Sequence, residues 1–288
     1  MSRSPASGRV VFVGAGPGEA DLITLRGAER LRDAQVVLFD SLADPALRRL
    51  APDARWVDVG KRGLRQIPHV STGGAESTGQ DTINALLVRF AGRDGQRVVR
   101  LKGGDPSVFG RLEEELEAVR TAGIECEVVP GVTAALAAAA AMQRPLTRRG
   151  GGRSVSLSTA MTQDGGLVVG RHADTEVFYM AGKQLAALSR RLLAAGWPAD
   201  TPALAVSRAG WPDELGSEHS VATLGDATVL HSGRPTVVTV GIGAMRVASA
   251  AAPAHRPARS AAADRHDPVV ATRPAPAEPP DRGRKIPA

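Results

Sequence analysis

RVVRLKGGDPSVFGR, from Arg97 to Arg111, reads as a strand, a tight polar turn and the start of a helix. Val98, Val99 and Leu101 are β-branched or aliphatic and suit a strand buried in a parallel sheet. Gly103 and Gly104 leave the backbone open to close approach by a ligand. Asp105-Pro106 turns the chain, and the acids Glu113, Glu114 and Glu115 suit the first turn of a following helix. A carboxylate beside paired glycines at the carboxyl end of a strand stands where open α/β sheets bind ligands.

The pattern extends to both sides of this stretch. Residues 10–13 read as a short buried strand running into Gly14-Ala15-Gly16-Pro17-Gly18. Helical spacing follows over 22–32, with Leu25, Ala28 and Leu31 on one face. A strand at 36–39 ends at Asp40. A short helix over 43–50 follows, with Asp44 as its cap and Pro45 at its first position. A strand at 56–59 ends at Gly60-Lys61-Arg62. A loop over 63–79 leads to a helix at 81–91. Beyond the opening stretch come a helix at 111–122, a strand at 127–129 closed by Pro130-Gly131, and an alanine-rich helix at 132–142. Strands alternating with helices predict an α/β fold with a mostly parallel sheet.

Residues 143–153, QRPLTRRGGGR, read as a linker of Pro, Gly and charge. A second α/β unit follows, with strands at 154–158, 176–180, 203–207 and 236–240. Between them lies a helix at 184–195, capped by Gly196. After Val247 the composition collapses to Ala, Pro and Arg, which cannot bury enough apolar surface to order itself. The expected organisation is two α/β domains, 9–147 and 151–247, and a disordered tail over 250–288.

The 288 residues are 43% hydrophobic, enough for a real core, and carry a net charge of +6. The tail holds seven Arg/Lys against four Asp/Glu, so half of that charge belongs to it and the body is only mildly basic. An aromatic content of 3% offers few stacking platforms and argues against single-stranded nucleic acid as a partner. The single cysteine, Cys126, rules out an internal disulfide and reads as a buried, inert thiol. The opening MSRSPASGR lacks an apolar signal core. The apolar run at 134–142 is far shorter than the ~20 residues that span a bilayer. The expectation is a soluble cytoplasmic protein with no membrane association.

The histidines show no spacing with cysteines or carboxylates that would hold a metal, so no metal is expected. No Ser-His-Asp set or nucleophile elbow is present. GAGPG is a glycine turn after a strand, but Pro17 and Gly18 break the G-x-G-x-x-G spacing of dinucleotide folds. Asp40 and Lys61 each end a predicted strand, where a parallel sheet places its chemistry, although a surface charge would read the same way.

Six stretches in order carry a resemblance: VVFVGAGPGEADLITLRGAERLRDAQVVLFDSL (10–42), VGKRG (59–63), QDTINALLVRFA (80–91), RVVRLKGGDPSVFGR (97–111), VVPGVTAALAAAAAMQRPLTRRG (128–150) and VFYMAGK (177–183). Together they resemble the class III tetrapyrrole methylases, over roughly residues 9 to 247. The GKR and Q-x-x-I-N-x-L-L combination is most similar to that family's uroporphyrinogen-III C-methyltransferases.

The resemblance implies two α/β domains with S-adenosylmethionine held in the cleft between them, usually in a homodimer. It implies cofactor contacts at Pro17, Gly103, Gly104, Asp105, Val108, Thr133, Ala134, Met180 and Ala209. It places a proton acceptor at Asp40 and a proton donor at Lys61, with Arg111 also in the catalytic set. Glu114 and Arg149 fall near the substrate. A polycarboxylate macrocycle makes Arg111, Arg148 and Arg149 sensible bidentate anchors. Arg is a poor base because its pKa stays above about 12. The implied reaction is attack of a pyrrole carbon on a sulfonium methyl, mostly a matter of positioning, followed by loss of a ring proton to a nearby base. The substrate would be uroporphyrinogen III, methylated at C2 and then C7 to precorrin-2 for sirohaem, cobalamin or haem d1. The chain is expected to begin at the methylase domain, without the dehydrogenase and chelatase domain of fused sirohaem synthases.

The sequence departs from the family pattern in several places. Phe39-Asp40-Ser41 stands where Tyr-Asp-Arg is usual. Leu112-Glu113 replaces a double glycine, and Thr147-Arg148-Arg149 replaces Thr-His-Arg. Ser158-Thr159-Ala160-Met161 stands where Thr-Gly-His is usual. The loop after Lys61 is longer than usual, which costs little. Three other readings stay open: a later corrin-ring methyltransferase, a weakly active tetrapyrrole- or nucleotide-binding regulatory protein, and a Rossmann oxidoreductase.

Overall fold

Strand β1 (Arg9–Gly14) has every residue after Arg9 buried. The computed structural model describes residues 8–60, 79–161 and 169–247, and all of them fall in one compact unit. Around β1 stand β2 (Val36–Phe39), β3 (Arg55–Asp58), β4 (Arg97–Lys102) and β5 (Glu125–Val129), in the order β3-β2-β4-β1-β5. Every neighbouring pair is parallel.

Period-two alternation splits the strand residues between two cores. Val11, Val13, Val99 and Leu101 pack with Leu31 of α1 (Leu25–Arg32) and with Leu47. Val10, Phe12, Val36, Leu38 and Val98 pack with Ile83, Leu86 and Leu87 of α2 (Gly79–Val88), and with Val119 of α3 (Leu112–Thr121). Cys126 is half-buried against this second cluster. Helices on both faces make the first half a doubly wound α/β layer, as the sequence predicts.

Local boundaries follow the capping chemistry. Helix α1 starts later than its apolar spacing suggests, because residues Ala20–Leu22 form a separate 3-10 turn. Thr24 then caps α1, its Oγ1 accepting the Gly27 N–H at 3.1 Å. Asp44 caps as expected, its Oδ1 accepting the Ala46 N–H at 2.9 Å. The segment it starts, Pro45–Leu50, is a 3-10 helix.

The second half carries β6 (Val155–Thr159), β7 (Thr175–Tyr179), β8 (Pro202–Ser207), β9 (Leu215–Ser220) and β10 (Thr236–Gly241), in the order β6-β7-β10-β8-β9. This sheet is mixed where the first is parallel. Only β6 and β7 run parallel, and the other three pairings are antiparallel. Strand β9 was not foreseen. Its sequence, LGSEHS, is polar because it is an edge strand with only β8 beside it.

Helix α5 (Leu185–Ala194) buries Leu185, Leu188 and Leu192 on one face of this sheet, against Phe178, Ala205 and Val238. The opposite face is covered by α4 (Ala134–Ala141). Its Ala135, Ala137 and Ala138 pack on Val177, Leu204 and Val206. A helix of small side chains thus carries the chain from the first sheet onto the second.

Candidate active site

The site grows from the carboxyl ends of β1 and β4. Past the strands, their loops stay zipped together. Ala15 N–H donates to Lys102 O at 2.8 Å, and Gly104 N–H donates to Gly16 O at 2.7 Å. Behind them, a Cβ on Gly14 would lie 2.6 Å from Gly131 Cα and 2.7 Å from Gly104 O. Three strand ends therefore meet backbone to backbone, at a contact no larger side chain permits. Gly104, at φ +73°, faces the other way into open space. A Cβ there would touch only Thr133 Cα and Val132 O, at 4.0 Å.

Asp105 clamps this floor. Its Oδ2 accepts the Gly131 N–H at 2.9 Å, and its Oδ1 accepts the Ser107 N–H at 2.8 Å and the Ser107 hydroxyl. Partial burial works against its ionisation. The hydrogen bonds from Ser107 and Gly131 outweigh that, and its carboxyl sits below the usual carboxylate range.

Asp40 ends β2 next door. It is half-buried, and its oxygens accept the Leu42 N–H at 2.9 Å and the Gly103 N–H at 3.3 Å. Beneath Asp40 and Gly103 is a buried charge cluster. Glu115 of α3, fully buried, accepts from Arg100 Nε at 3.0 Å and Lys102 Nζ at 2.7 Å. Gln80 of α2 reaches the same carboxylate at 3.4 Å. Burial, with Arg100 adding to it, pulls the Lys102 ammonium below its ordinary pKa against the attraction of Glu115 and Asp40.

The second half closes over this floor at two places. Trp211 Nε1 donates to Pro17 O at 3.0 Å, and Glu19 N–H donates to Gly210 O at 2.7 Å. Ala209 is buried in this Arg208–Trp211 loop. At the second place, Tyr179 ends β7 and its hydroxyl meets Thr133 Oγ1 at 2.8 Å. Thr133 is the N-cap of α4, yet it makes no capping bond from its side chain. The Ala135 N–H of that first turn instead reaches Tyr179 Oη at 3.4 Å. Phe109 packs on Tyr179 with ring centroids 5.0 Å apart. Met180 follows Tyr179 and is exposed.

Among the described residues, five non-glycine residues hold positive φ, and four of them lie here: Phe109 (54°), Arg111 (54°), Met180 (56°) and Arg208 (51°). Each costs about 1–3 kcal/mol, and such strain concentrates where geometry serves a ligand.

Contacts thus bring Pro17, Gly103, Gly104, Asp105, Thr133, Met180 and Ala209 onto linked loops, with Val108 and Ala134 as their chain neighbours. Arg111 precedes α3 and forms a two-pronged ion pair with Glu114, at 2.8 and 2.5 Å. Arg148 goes elsewhere, its guanidinium donating to Met245 O and Arg246 O. Arg149 is exposed in the turn closed by Arg148 and Gly152. Lys61 lies outside the described residues. Sequence reasoning missed Gly131, Tyr179, Phe109 and Trp211. Of these, Gly131 alone left a signal, as the second glycine turn facing Gly104. No group of His, Cys, Asp and Glu among the described residues could hold a metal ion.

Paired glycine loops over a parallel sheet, closed by a second mixed sheet, match the family described as Tetrapyrrole (Corrin/Porphyrin) Methylases over residues 9–228. The chain belongs to that family. It is 45% identical over 207 residues to the Uroporphyrinogen-III C-methyltransferase of Pseudomonas aeruginosa, covering 70% of this chain and 80% of that protein. It is 40% identical over 244 residues to Siroheme synthase 2 of Yersinia pestis, covering 83% of this chain and spanning 49% of that longer protein. Its fold is similar to the crystal structure of Uroporphyrin-III C-methyl transferase from Thermus thermophilus complexed with S-adenyl homocysteine. There the TM-score is 0.68 and the identity 35%, over 81% of this chain and 97% of that one.

Proposed function

We propose that this chain is an S-adenosylmethionine-dependent uroporphyrinogen-III C-methyltransferase, which methylates its substrate at C2 and then C7 to give precorrin-2. The observation that carries the reading is the glycine floor of β1, β4 and β5 capped by the Tyr179 and Trp211 contacts, in a member of this family. The open space over Gly104, beside the first turn of α4, fits a donor that is met by backbone groups. Pro17, Gly103, Gly104, Asp105, Val108, Thr133, Ala134, Met180 and Ala209 would hold it. The donor supplies an electrophilic methyl on a sulfonium.

The chain's own residues do the rest. Asp40 keeps lone pairs beyond its two amide contacts and would accept the proton lost from the ring carbon. Lys61 would be the complementary proton donor. Arg111 exchanges its Glu114 partner for a substrate carboxylate, and Arg149 offers a second guanidinium. Arg148 holds the segment after β10 and acts on the substrate only if it leaves those carbonyls. The two sheets would form the cores of domains 9–147 and 151–247. No helix among the described residues is long and apolar enough to cross a membrane. A homodimer is supported by a groove of about 860 Å³ between α4 and edge strand β6, where Leu136 and Leu157 are exposed.

The deciding experiment incubates the protein with uroporphyrinogen III and S-adenosylmethionine and follows the macrocycle by mass. Gain of one and then two methyl groups is expected. No gain overturns the reading.

A further inference from the structure

Phe109, in the loop between β4 and α3, has φ +54°, a backbone that glycine adopts freely and that strains any residue with a Cβ. The glycine stands next door instead. A Cβ on Gly110 would lie 2.5 Å from Pro106 O and 3.1 Å from Lys102 Cε, so close packing demands glycine there. At 109 the chain keeps a large ring in spite of its backbone.

Burial does not explain that ring. Phe12, Phe90 and Phe178 are buried and Phe39 is half-buried, but Phe109 is 43% exposed. It packs on Tyr179 with ring centroids 5.0 Å apart and planes at 58°. Tyr179 is itself buried, and its hydroxyl is fixed to Thr133. A lone exposed apolar side chain is ordinary. One held out by a strained backbone against a buried brace is not, and such strain persists where geometry serves a ligand.

The position of the ring says which ligand. Val108, one residue before it, belongs to the proposed donor contacts, and Arg111, two residues after it, to the proposed substrate anchors. Phe109 lines a cavity of about 810 Å³ that Arg111, Leu112 and Glu114 also line. A tetrapyrrole with carboxylate arms presents flat π faces, pyrrole N–H donors and outer anions. This corner holds a complement to each. The Phe109 ring suits a π face, and the Arg111 guanidinium suits a carboxylate. The Glu114 carboxylate suits an N–H once Arg111 turns away from it. That ion pair is half-exposed, so exchanging its partners costs little.

We propose that Phe109 is a substrate-contacting residue that sets specificity for the macrocycle: a pyrrole ring stacks on it while Arg111 takes a carboxylate and Glu114 accepts a pyrrole N–H. The proposal rests on the tetrapyrrole reading of the site. A ring-on-ring stack forms and breaks with the macrocycle and leaves the methyl donor alone, whereas a purely structural ring would support the donor loop through Val108 as well.

The test measures steady-state methylation of uroporphyrinogen III and calorimetric binding of S-adenosylhomocysteine by the full chain. It compares the parent protein with Phe109→Leu and Phe109→Tyr, with circular dichroism to confirm folding. Phe109→Leu keeps apolar bulk and loses the aromatic face. It should raise KM for the macrocycle about tenfold, the order of one aromatic pair. Its donor affinity should stay within about twofold of the parent value. Phe109→Tyr keeps the ring and should hold KM within about threefold of the parent value. Phe109→Gly frees the strained backbone while removing the ring, and it carries the test if Phe109→Leu does not fold. An unchanged KM in Phe109→Leu, a donor affinity that falls as far as KM rises, or a Phe109→Tyr as impaired as Phe109→Leu overturns the inference alone. A parent that does not methylate uroporphyrinogen III removes the tetrapyrrole reading and this inference with it.

Discussion

The Asp105 carboxylate accepts the Gly131 amide at 2.9 Å and so ties the loop after β4 to the loop after β5, across the end of β1 that separates the two strands. A single side chain thereby sets the spacing of the floor under the proposed donor.

Replacing Asp105 by Asn should show how much that tie contributes. One amide oxygen cannot serve both Gly131 N–H and Ser107 N–H, and the NH2 group would face one of them donor to donor. Loss of about 1–3 kcal/mol is expected in urea unfolding, with donor binding weakened alongside. The pH sign is fixed by the depressed carboxyl. Its contribution is present above an unfolded-state pKa of about 3.9 and disappears as pH falls through the lower native value. Acid unfolding of Asp105→Asn should lack that component. Equal acid titrations of parent and variant would count against the tie.

The cluster of Arg100, Lys102 and Glu115 sets two buried cations against one anion. Glu115→Gln leaves both cations without a counter-ion and should cost about 3–5 kcal/mol. Lys102→Met leaves Arg100 and Glu115 matched one to one and should change stability by about 1 kcal/mol or less. The ranking is the test, read from denaturant midpoints. Lys102 also gives a slope at high pH. Its native pKa is depressed, so between that value and about 10.4 the unfolded chain binds more protons and stability rises with pH. Lys102→Met should remove the rise.

The first sheet was legible because parallel strands buried in the sheet leave continuous apolar runs, such as VVFV at 10–13 and VVLF at 36–39. Glycines at their ends marked the site for the same reason, since only a missing side chain allows loops to approach as Gly14 and Gly131 do. The second sheet was less legible. Strand β9 alternates small and polar residues, and its Ser217 and His219 look like any surface pair until the fold sets them against His231. Helix α6 (Thr228–His231) is too short to show a period. Arg148 illustrates the limit for site residues. Its type suits a carboxylate anchor, but its direction is decided by the carbonyls after β10, ninety-seven residues away.

The Trp211–Pro17 hydrogen bond offers a way to loosen the two halves without touching the floor. Trp211→Phe keeps an aromatic ring near the Arg208 guanidinium, which lies 4.5 Å from the indole centroid, and deletes only the donor to Pro17 O. A cost of about 1 kcal/mol is expected. Donor affinity should fall severalfold while the secondary structure, followed by circular dichroism, is unchanged. The sharper variant is Gly18→Ala, whose added Cβ would collide with the Gly210 carbonyl. Backbone on both sides leaves little room to relax, so donor binding should be lost. Unchanged affinity in both variants would separate the Arg208–Trp211 loop from the site.

The groove beside α4 gives the last prediction. Leu136 is 54% exposed and Leu157 43%, and the pocket between them is lined by Ala139, Ala140 and Val155. Strand β6, which carries Leu157, is a sheet edge. An apolar surface along an open edge is costly in water unless another surface covers it, and a second copy of the chain is the proposed cover. Leu157→Glu places a charge in that groove without altering a buried core position. Sedimentation should find the parent as a dimer and Leu157→Glu shifted to monomer at micromolar concentration, with the thermal midpoint of the monomer becoming independent of protein concentration. A parent that sediments as a monomer, or a variant that dimerises as well as the parent, would remove this face as the dimer contact.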